Sequence, residues 1–336
     1  MLTVKKLRRK PKHSHDFTGL TPQHSDELLA AVEPLYEQAE HERLENPNPL
    51  RSRGAGREFN PESPERLLMS LMCFRLYVTR TLLGYLFDLD PSNVDRGMNG
   101  RMSAVLSEAL PVPARDEPPS DLAARAASTS SSNGGDGASK RKRSRGEKIG
   151  TLEESLEKHP DLFEILIDAT EQELPKPKDK DRRKGFYSGE RKRHAAKMVV
   201  VGTKNKLVLH LCRHVAGRVS DHLLLRAPAV MRRVPKGVVV RVDEGYEGME
   251  EEYPGVRTQK PREARRAHPL TVLEEIHNKA MSTLRIPVVE HAIGGMKKFR
   301  MLAGTYRGKP ERYDDSALVI AGLHNYRELG KLSWQW

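Results

Sequence analysis

Phe163-Glu164-Ile165-Leu166-Ile167-Asp168 and Val238-Val239-Val240-Arg241-Val242-Asp243 are short apolar runs, and each ends on an aspartate. Runs of this length, rich in β-branched residues, read as buried strands. An Asp at a strand end is ordinarily a turn former or the cap of the next helix, so neither says much alone. A third acid adds to them: Glu290 follows Pro287-Val288-Val289 and opens a helical pattern. Two carboxylates at the ends of buried strands and a third on a later helix can converge on a hard divalent cation. Mg²⁺ takes oxygen ligands and keeps several waters, so a few carboxylates plus substrate phosphates suffice.

Around these acids the chain is basic. Its 336 residues carry 58 Lys and Arg against 46 Asp and Glu, a net charge of +12, with a pI near 9.6. The excess favours an anionic partner, nucleic acid first. The length allows two domains, each with its own core. Cys73 and Cys212 sit in apolar segments and read as small core residues, and no Cys/His cluster has zinc spacing. His194, His210, His214 and His222 form no ligand set either. The basic start, Lys5 to Lys10, has no apolar stretch behind it, which speaks against a secretory signal. No segment is apolar and long enough for a membrane span. A soluble protein located with nucleic acid is expected: cytoplasmic and nucleoid-associated in a prokaryote, which is favoured, or nuclear in a eukaryote.

Residues 1–16 read as a basic flexible arm. Helical spacing of Leu28, Leu29, Val32 and Leu35, and again of Leu67, Leu68, Leu71, Met72 and Leu76, predicts helices after residue 21 and over 61–77. A short helix over 79–87, with Leu82, Leu83, Leu86 and Phe87 inward, is followed by Asp88-Leu89-Asp90 and a helix opened by Pro91. That is the helix-turn-helix layout, in which the second helix enters the major groove. Asn93, Arg96 and Asn99 are the side chains near its start able to pair with base edges. Helical hairpins of this kind also occur in proteins that never touch DNA. The segment 111–150, with its prolines, its Ser/Gly run and Lys140-Arg141-Lys142-Arg143, reads as a disordered basic linker.

Beyond it the spacing predicts a short helix at 152–156, the strand 163–168 and a hairpin of 192–202 with 206–212. Helices at 219–226, 247–253, 270–284 and 311–329 and the strand 237–243 complete the pattern. Strands and helices mixed in this order give an α/β or α+β domain with a central sheet. Residues 176–197 hold ten Lys or Arg against three acids. A charge run is commonly a solvated face; beside a site for nucleic acid it suits phosphate contact, with Arg191, Lys192 and Arg193 as candidates.

The blocks Ile167-Asp168-Ala169-Thr170-Glu171-Gln172 with Phe186-Tyr187-Ser188-Gly189-Glu190-Arg191-Lys192-Arg193-His194, then Asp243-Glu244-Gly245-Tyr246-Glu247-Gly248, then Arg285 to Arg300, resemble the three catalytic blocks of DDE insertion-sequence transposases. The resemblance is to the PIF/Harbinger-like, insertion-sequence-five group. The acids stand 75 and 47 positions apart, in family order. Residues 17–110 resemble the helix-turn-helix domain found ahead of that catalytic domain.

The resemblance implies an RNase H-like fold over 151–336, a central mixed sheet with flanking helices, behind the all-α DNA-binding domain at 17–110. It implies a catalytic, metal-binding triad of Asp168, Asp243 and Glu290 holding two Mg²⁺ ions, with Mn²⁺ able to substitute. Lys297, seven residues after Glu290 and on the same helical face, would contact DNA near the cleaved bond, with Lys298 beside it. Arg285 lies five residues before Glu290, where the family's Arg more usually stands four before, so its role stays open. Glu244 stands where the family often has Lys. The activity implied is cut-and-paste recombination of double-stranded DNA by a homodimer or larger assembly on paired element ends. Two alternatives share parts of the pattern: a catalytically inactive or repurposed DNA-binding protein, and an RNase H-like nuclease without strand transfer.

Overall fold

The computed structural model describes residues 2–44, 62–115, 164–220, 237–242, 257–259, 269–285 and 289–332, with Leu224, Val234 and Tyr253. At 99–100, 281–285, 289–290 and 332 only the backbone is described. Asp243, the helix expected at 152–156, and most of the helices expected at 219–226 and 247–253 and of the linker expected at 111–150 lie outside these residues.

The expected arm is helical instead, as α1 (Val4–Arg8) and α2 (Pro11–Thr18). Local signals explain it: the Thr3 side chain accepts from the Lys6 N–H at the start of α1, Pro11 opens α2, and Gly19 closes it at φ 79°. Leu7 is buried while the basic side chains around it face solvent, so one leucine anchors the segment.

The helices α3 (Pro22–Leu44), α4 (Ser63–Leu76), α5 (Arg80–Phe87), α6 (Pro91–Arg96) and α7 (Ser103–Ala109) follow. A π-type stretch, Gly97–Met102, joins α6 to α7. Every residue of α4 from Leu67 to Phe74 is buried, as befits a helix apolar on all sides. Asp88 adopts φ 56° after α5, and Asp90 caps α6 by accepting from the Ser92 N–H. The inward face of α5 is narrower than expected: Leu83 and Phe87, four residues apart, are buried, while Leu82 is 44% exposed. Leu82 is rotated by about 100° from Leu83, onto the solvent side.

The first residues of the expected linker are ordered. Val112 is buried, and Ala114 donates its N–H to the Leu209 carbonyl at 3.0 Å and accepts from the Leu211 N–H at 2.9 Å. Ala114 thus borrows a sheet edge for backbone groups that would otherwise need water.

Among the described residues the sheet has strands β1 (Glu164–Glu173), β2 (Tyr187–Ser188), β3 (Arg193–Thr203), β4 (Val208–Leu211), β5 (Val215–Ala216), β6 (Val239–Arg241) and β7 (Arg257–Gln259). Its order is β2-β3-β1-β6-β7, with β4 and β5 also on β3. β3 runs antiparallel to β1, β2, β4 and β5, whereas β1, β6 and β7 are mutually parallel neighbours. The expected hairpin is present as β3 and β4. A further helix, α8 (Lys180–Phe186), lies between β1 and β2, and α9 (Val272–Arg285), α10 (Val289–Lys297), α11 (Arg300–Ala303) and α12 (Tyr313–Leu332) complete the chain. This is a mixed α/β architecture: a mixed sheet with flanking helices. Among the described residues no helix is long and apolar enough to cross a membrane.

The two-residue period of the strands splits the core. Ile165, Ile167, Val199, Val201 and Val240 enter one cluster. Leu166, Met198, Val200 and Val208 enter another, which also holds Ala292, Phe299, Tyr313 and Leu323 of the last helices and Leu28, Leu71, Phe87 and Leu106 of the first ones. The N-terminal helices and the helical side of the sheet therefore share one core. At about 1.5–3 kcal/mol for each fully buried large aliphatic side chain, that contact is a substantial part of the fold's stability.

Asn325 on α12 is fully buried and acts as a side-chain extension of the sheet. Its Oδ1 accepts from the Val208 N–H at 2.8 Å, and its Nδ2 donates to the Val208 carbonyl at 2.8 Å and the Pro111 carbonyl at 3.1 Å. Asn325→Ala orphans these groups, each at roughly 1–3 kcal/mol. A loss of about 3 kcal/mol in urea unfolding is expected, and an unchanged midpoint would show that water replaces the amide without cost.

Candidate active site

Asp168 lies in the middle of β1 and not at its end, because the strand continues to Glu173 against β3. The run Ala169 to Glu173 is polar, so hydropathy ends the strand too early; backbone pairing with Ala195 to Val200 carries it on. Asp168 is half-buried, and its Oδ1 accepts from the Ala169 N–H at 2.8 Å. Sharing the parity of Leu166, it projects to the face covered by α10, which packs on β1 and β3.

Lys297 closes α10 and is half-buried. Burial, and then the charge of Arg191, pull its ammonium below the ordinary lysine range, while Asp168 and Glu171 oppose that shift. Lys297 thus feels the charges of both Asp168 and Arg191. Glu290 is the second residue of α10, seven before Lys297, about 10 Å along the axis on the same face. Its side chain, like Asp243, is outside what is described. Among the described residues no group of three His, Cys, Asp or Glu side chains is placed to hold a metal ion.

Arg285 closes α9, whereas Val289 opens α10. Arg285 and Glu290 are therefore on different helices, and counting helical register between them has no meaning. Lys298 is exposed just beyond α10. Arg191, Lys192 and Arg193 are exposed in and after the turn between β2 and β3, with Lys192 at φ 53° and Arg193 paired to Glu173 at 3.1 Å. In the N-terminal helices Arg96 is exposed and Asn93 half-buried, both on α6, while Asn99 lies in the π-type stretch with its side chain undescribed.

The basic stretch 176–197 is not one loop. Asp179 caps α8 by accepting from the Asp181 and Arg182 N–H groups, and Lys197 is inside β3. Lys197 is buried, with its Nζ 2.9 Å from Glu171 Oε1 on the neighbouring strand. The Ser188 hydroxyl donates to the same Glu171 oxygen at 3.1 Å, and the Arg191 N–H donates to Ser188 Oγ at 3.2 Å. Glu171 and Lys197 are directly paired across β1 and β3. This chain of contacts links the turn that carries Arg191 to a strand position three residues from Asp168. Gln172 adds a second tie, donating to the Met301 and Gly304 carbonyls at 2.6 and 2.8 Å. None of these positions stands out by composition. The available signal was one acid and one base inside otherwise buried strands, and only the register pairs them.

Two further contacts fix the helix and the strand beside the site. Gly295 on α10 faces the buried His324 ring so closely that an added Cβ would lie 2.3 Å from its Cε1. On β6, Arg241 donates to both Glu164 oxygens, at 2.8 and 3.1 Å, and these hydrogen bonds hold the Glu164 carboxyl below its usual range.

Residues 167–325 match a family model described as DDE superfamily endonuclease. No curated protein and no solved structure matches the chain. The matched region runs from the residue before Asp168 into α12 and includes Lys197 and all of α10. It supports a kinship with DDE transposase-like proteins and a nuclease or transposase-like role for this part of the chain.

The Glu171–Lys197 pair yields a stability test. Removing one partner of a buried ion pair leaves an uncompensated charge and costs about 3–5 kcal/mol, whereas apolar replacement of both is far milder. Lys197→Met should therefore destabilise strongly, and the Lys197→Met, Glu171→Leu double variant should recover most of the loss in chemical denaturation. Additive losses would mean that the two charges are solvated independently.

Proposed function

We propose that the protein is a DDE transposase of the PIF/Harbinger-like, insertion-sequence-five group, cutting and joining double-stranded DNA at a carboxylate site of Asp168, Asp243 and Glu290. One observation carries most weight. In the parallel pairing of β1 with β6, each partner lies 75 positions further on, as in Glu164 with Val239 and Leu166 with Arg241. That is the spacing between Asp168 and Asp243. Continued for two more residues, this register would bring the two aspartates side by side. The strand order supports an RNase H-like reading: β1 lies between antiparallel β3 and parallel β6, with β4 and β7 outside them.

The donor set suits a hard divalent cation: it consists of carboxylate oxygens alone, with no thiolate or imidazole, and Asp168 is half-buried with one oxygen accepting from the Ala169 N–H. A pair of Mg²⁺ or Mn²⁺ ions in such a site supplies Lewis acidity to the phosphate and to both the attacking and the leaving oxygen. The protein's own groups bind and orient. Lys297 and Arg191 give positive charge beside Asp168 for the phosphate flanking the cut. Arg191, Lys192, Arg193 and Lys298 hold backbone, and α6 presents Asn93 and Arg96, with Asn99 following, to the element end. Attack of water on a phosphodiester breaks its P–O3′ bond, leaving a 3′-hydroxyl and a 5′-phosphate. Attack of that 3′-hydroxyl on a target phosphodiester forms the joining P–O bond and releases a 3′-hydroxyl of the target strand. Joining two ends calls for at least a dimer on DNA.

Asp168→Asn removes a metal ligand while leaving the basic surface intact. Metal assistance is worth several kcal/mol of charge stabilisation, and each 1.36 kcal/mol is a factor of ten. Mg²⁺-dependent cleavage should fall by about 100-fold or more with DNA affinity kept or raised. Cleavage at the wild-type rate would reject the assignment, and wild-type protein that binds DNA without cutting would favour a repurposed binder.

Base reading and backbone holding separate by salt. Asn93→Ala with Arg96→Ala should cost about 1–3 kcal/mol for each lost bidentate base contact, and only on the cognate terminal sequence. Neutralising Arg191 and Lys192 should weaken binding to terminal and scrambled DNA alike and flatten the salt dependence. Equal losses on both DNAs for the α6 variant would remove α6 as the reader.

A further inference from the structure

The end of α10 is held by the N-terminal helices. Arg75, in the last turn of α4, donates its Nη1 to the Lys298 carbonyl at 2.6 Å. Its guanidinium carbon also lies 5.7 Å from the centroid of the Phe299 ring, and Phe299 is fully buried. Gly19, closing α2, packs on the other side: a Cβ there would lie 3.3 Å from Phe299 Cζ and 3.4 Å from Arg75 Cδ. The last carbonyls of a helix lack intrahelical partners and carry the negative end of its dipole, so a guanidinium is well matched to them. Arg75 is only half-exposed, in company with Arg300 and Arg327. Burial and then the charge of Arg327 pull its guanidinium below the ordinary arginine range, with Asp16 opposing.

We propose that Arg75 is a positioning residue for α10, through which the N-terminal helical layer sets the placement of Lys297 beside Asp168. The role rests on the nuclease reading above. It is not a DNA contact: Arg75 acts through the Lys298 carbonyl and the Phe299 ring. A second, separate tie keeps the same layers together further on, where the Arg307 guanidinium donates to the Tyr77 carbonyl and its carbon lies 4.3 Å from the centroid of the Tyr77 ring. Arg307 follows the segment after α11, so it serves as a control that touches the layer interface but not the end of α10.

The experiment compares full-length wild type, Arg75→Ala, Arg75→Lys and Arg307→Ala. It measures amide hydrogen exchange, thermal melting, DNA affinity and Mg²⁺-dependent cleavage. Arg75→Ala is expected to speed exchange at least tenfold in 293–303 relative to the rest of the chain. It should lower the cleavage rate at saturating DNA about tenfold, with affinity changed less than twofold. Arg75→Lys should restore part of both, and Arg307→Ala should leave exchange in 293–303 unchanged even if it lowers the melting temperature. Unchanged exchange in Arg75→Ala overturns the proposal, as does equal acceleration by Arg307→Ala or a cleavage loss matched by a loss of affinity. If wild-type protein does not cleave DNA, the nuclease reading fails, while selective exchange in 293–303 still supports the clamp.

Discussion

β1 has both edges occupied, by β3 over Ile165 to Glu173 and by β6 over Glu164 to Leu166. A strand paired on both sides cannot slip by one residue without turning every side chain to the opposite face. Here such a slip would drive Asp168 into the apolar cluster of Ile165 and Ile167 and bring those two among the helices. The site therefore depends on register before it depends on any side-chain contact. Arg241 bound to Glu164 and the Glu171–Lys197 pair pin that register at the two ends of β1.

Charge around Asp168 is arranged in layers. Glu171 and Lys197 neutralise each other inside the sheet, while Lys297 and Arg191 stand nearer solvent, with Glu190 3.9 Å from Arg191 and 4.0 Å from Lys197. Ser188 connects the two layers, since its hydroxyl donates to Glu171 and accepts from the Arg191 amide. A turn carrying cationic groups is thus held at a fixed height above the strand.

Much of this was legible in the sequence, for physical reasons that differ by element. The helices α3, α4 and α12 follow from apolar spacing, and the β3–β4 hairpin from two apolar runs around a polar turn. The continuation of β1 through Ala169 to Glu173 was not legible, because a polar strand is stabilised by its partner rather than by its own composition. The same holds for α1 and α2, where caps and one buried leucine outweigh a basic composition. Lys197 read as part of a basic stretch suited to phosphate contact, since only the pairing with β1 reveals its carboxylate. The acids Asp168, Asp243 and Glu290 were visible as spacing; the structure describes Asp168 and the register of β1 with β6, and Lys297 feels the charge of Asp168.

The shared core of the first and last helices bears on how the chain acquires its structure. Tyr326 on α12 donates to the His24 carbonyl across 302 positions, and Arg75 reaches Lys298 across 223. Contacts this distant in sequence are slow to form, because their loop-closure entropy is lost before they repay it. During synthesis α4, apolar on all sides, leaves the ribosome long before Phe299 or Leu323 exists to cover it. The neighbouring helices α1 to α3 and α5 can pack on α4 at once, but the part of its surface that meets α11 stays open until translation is nearly complete, a place where misassembly can start.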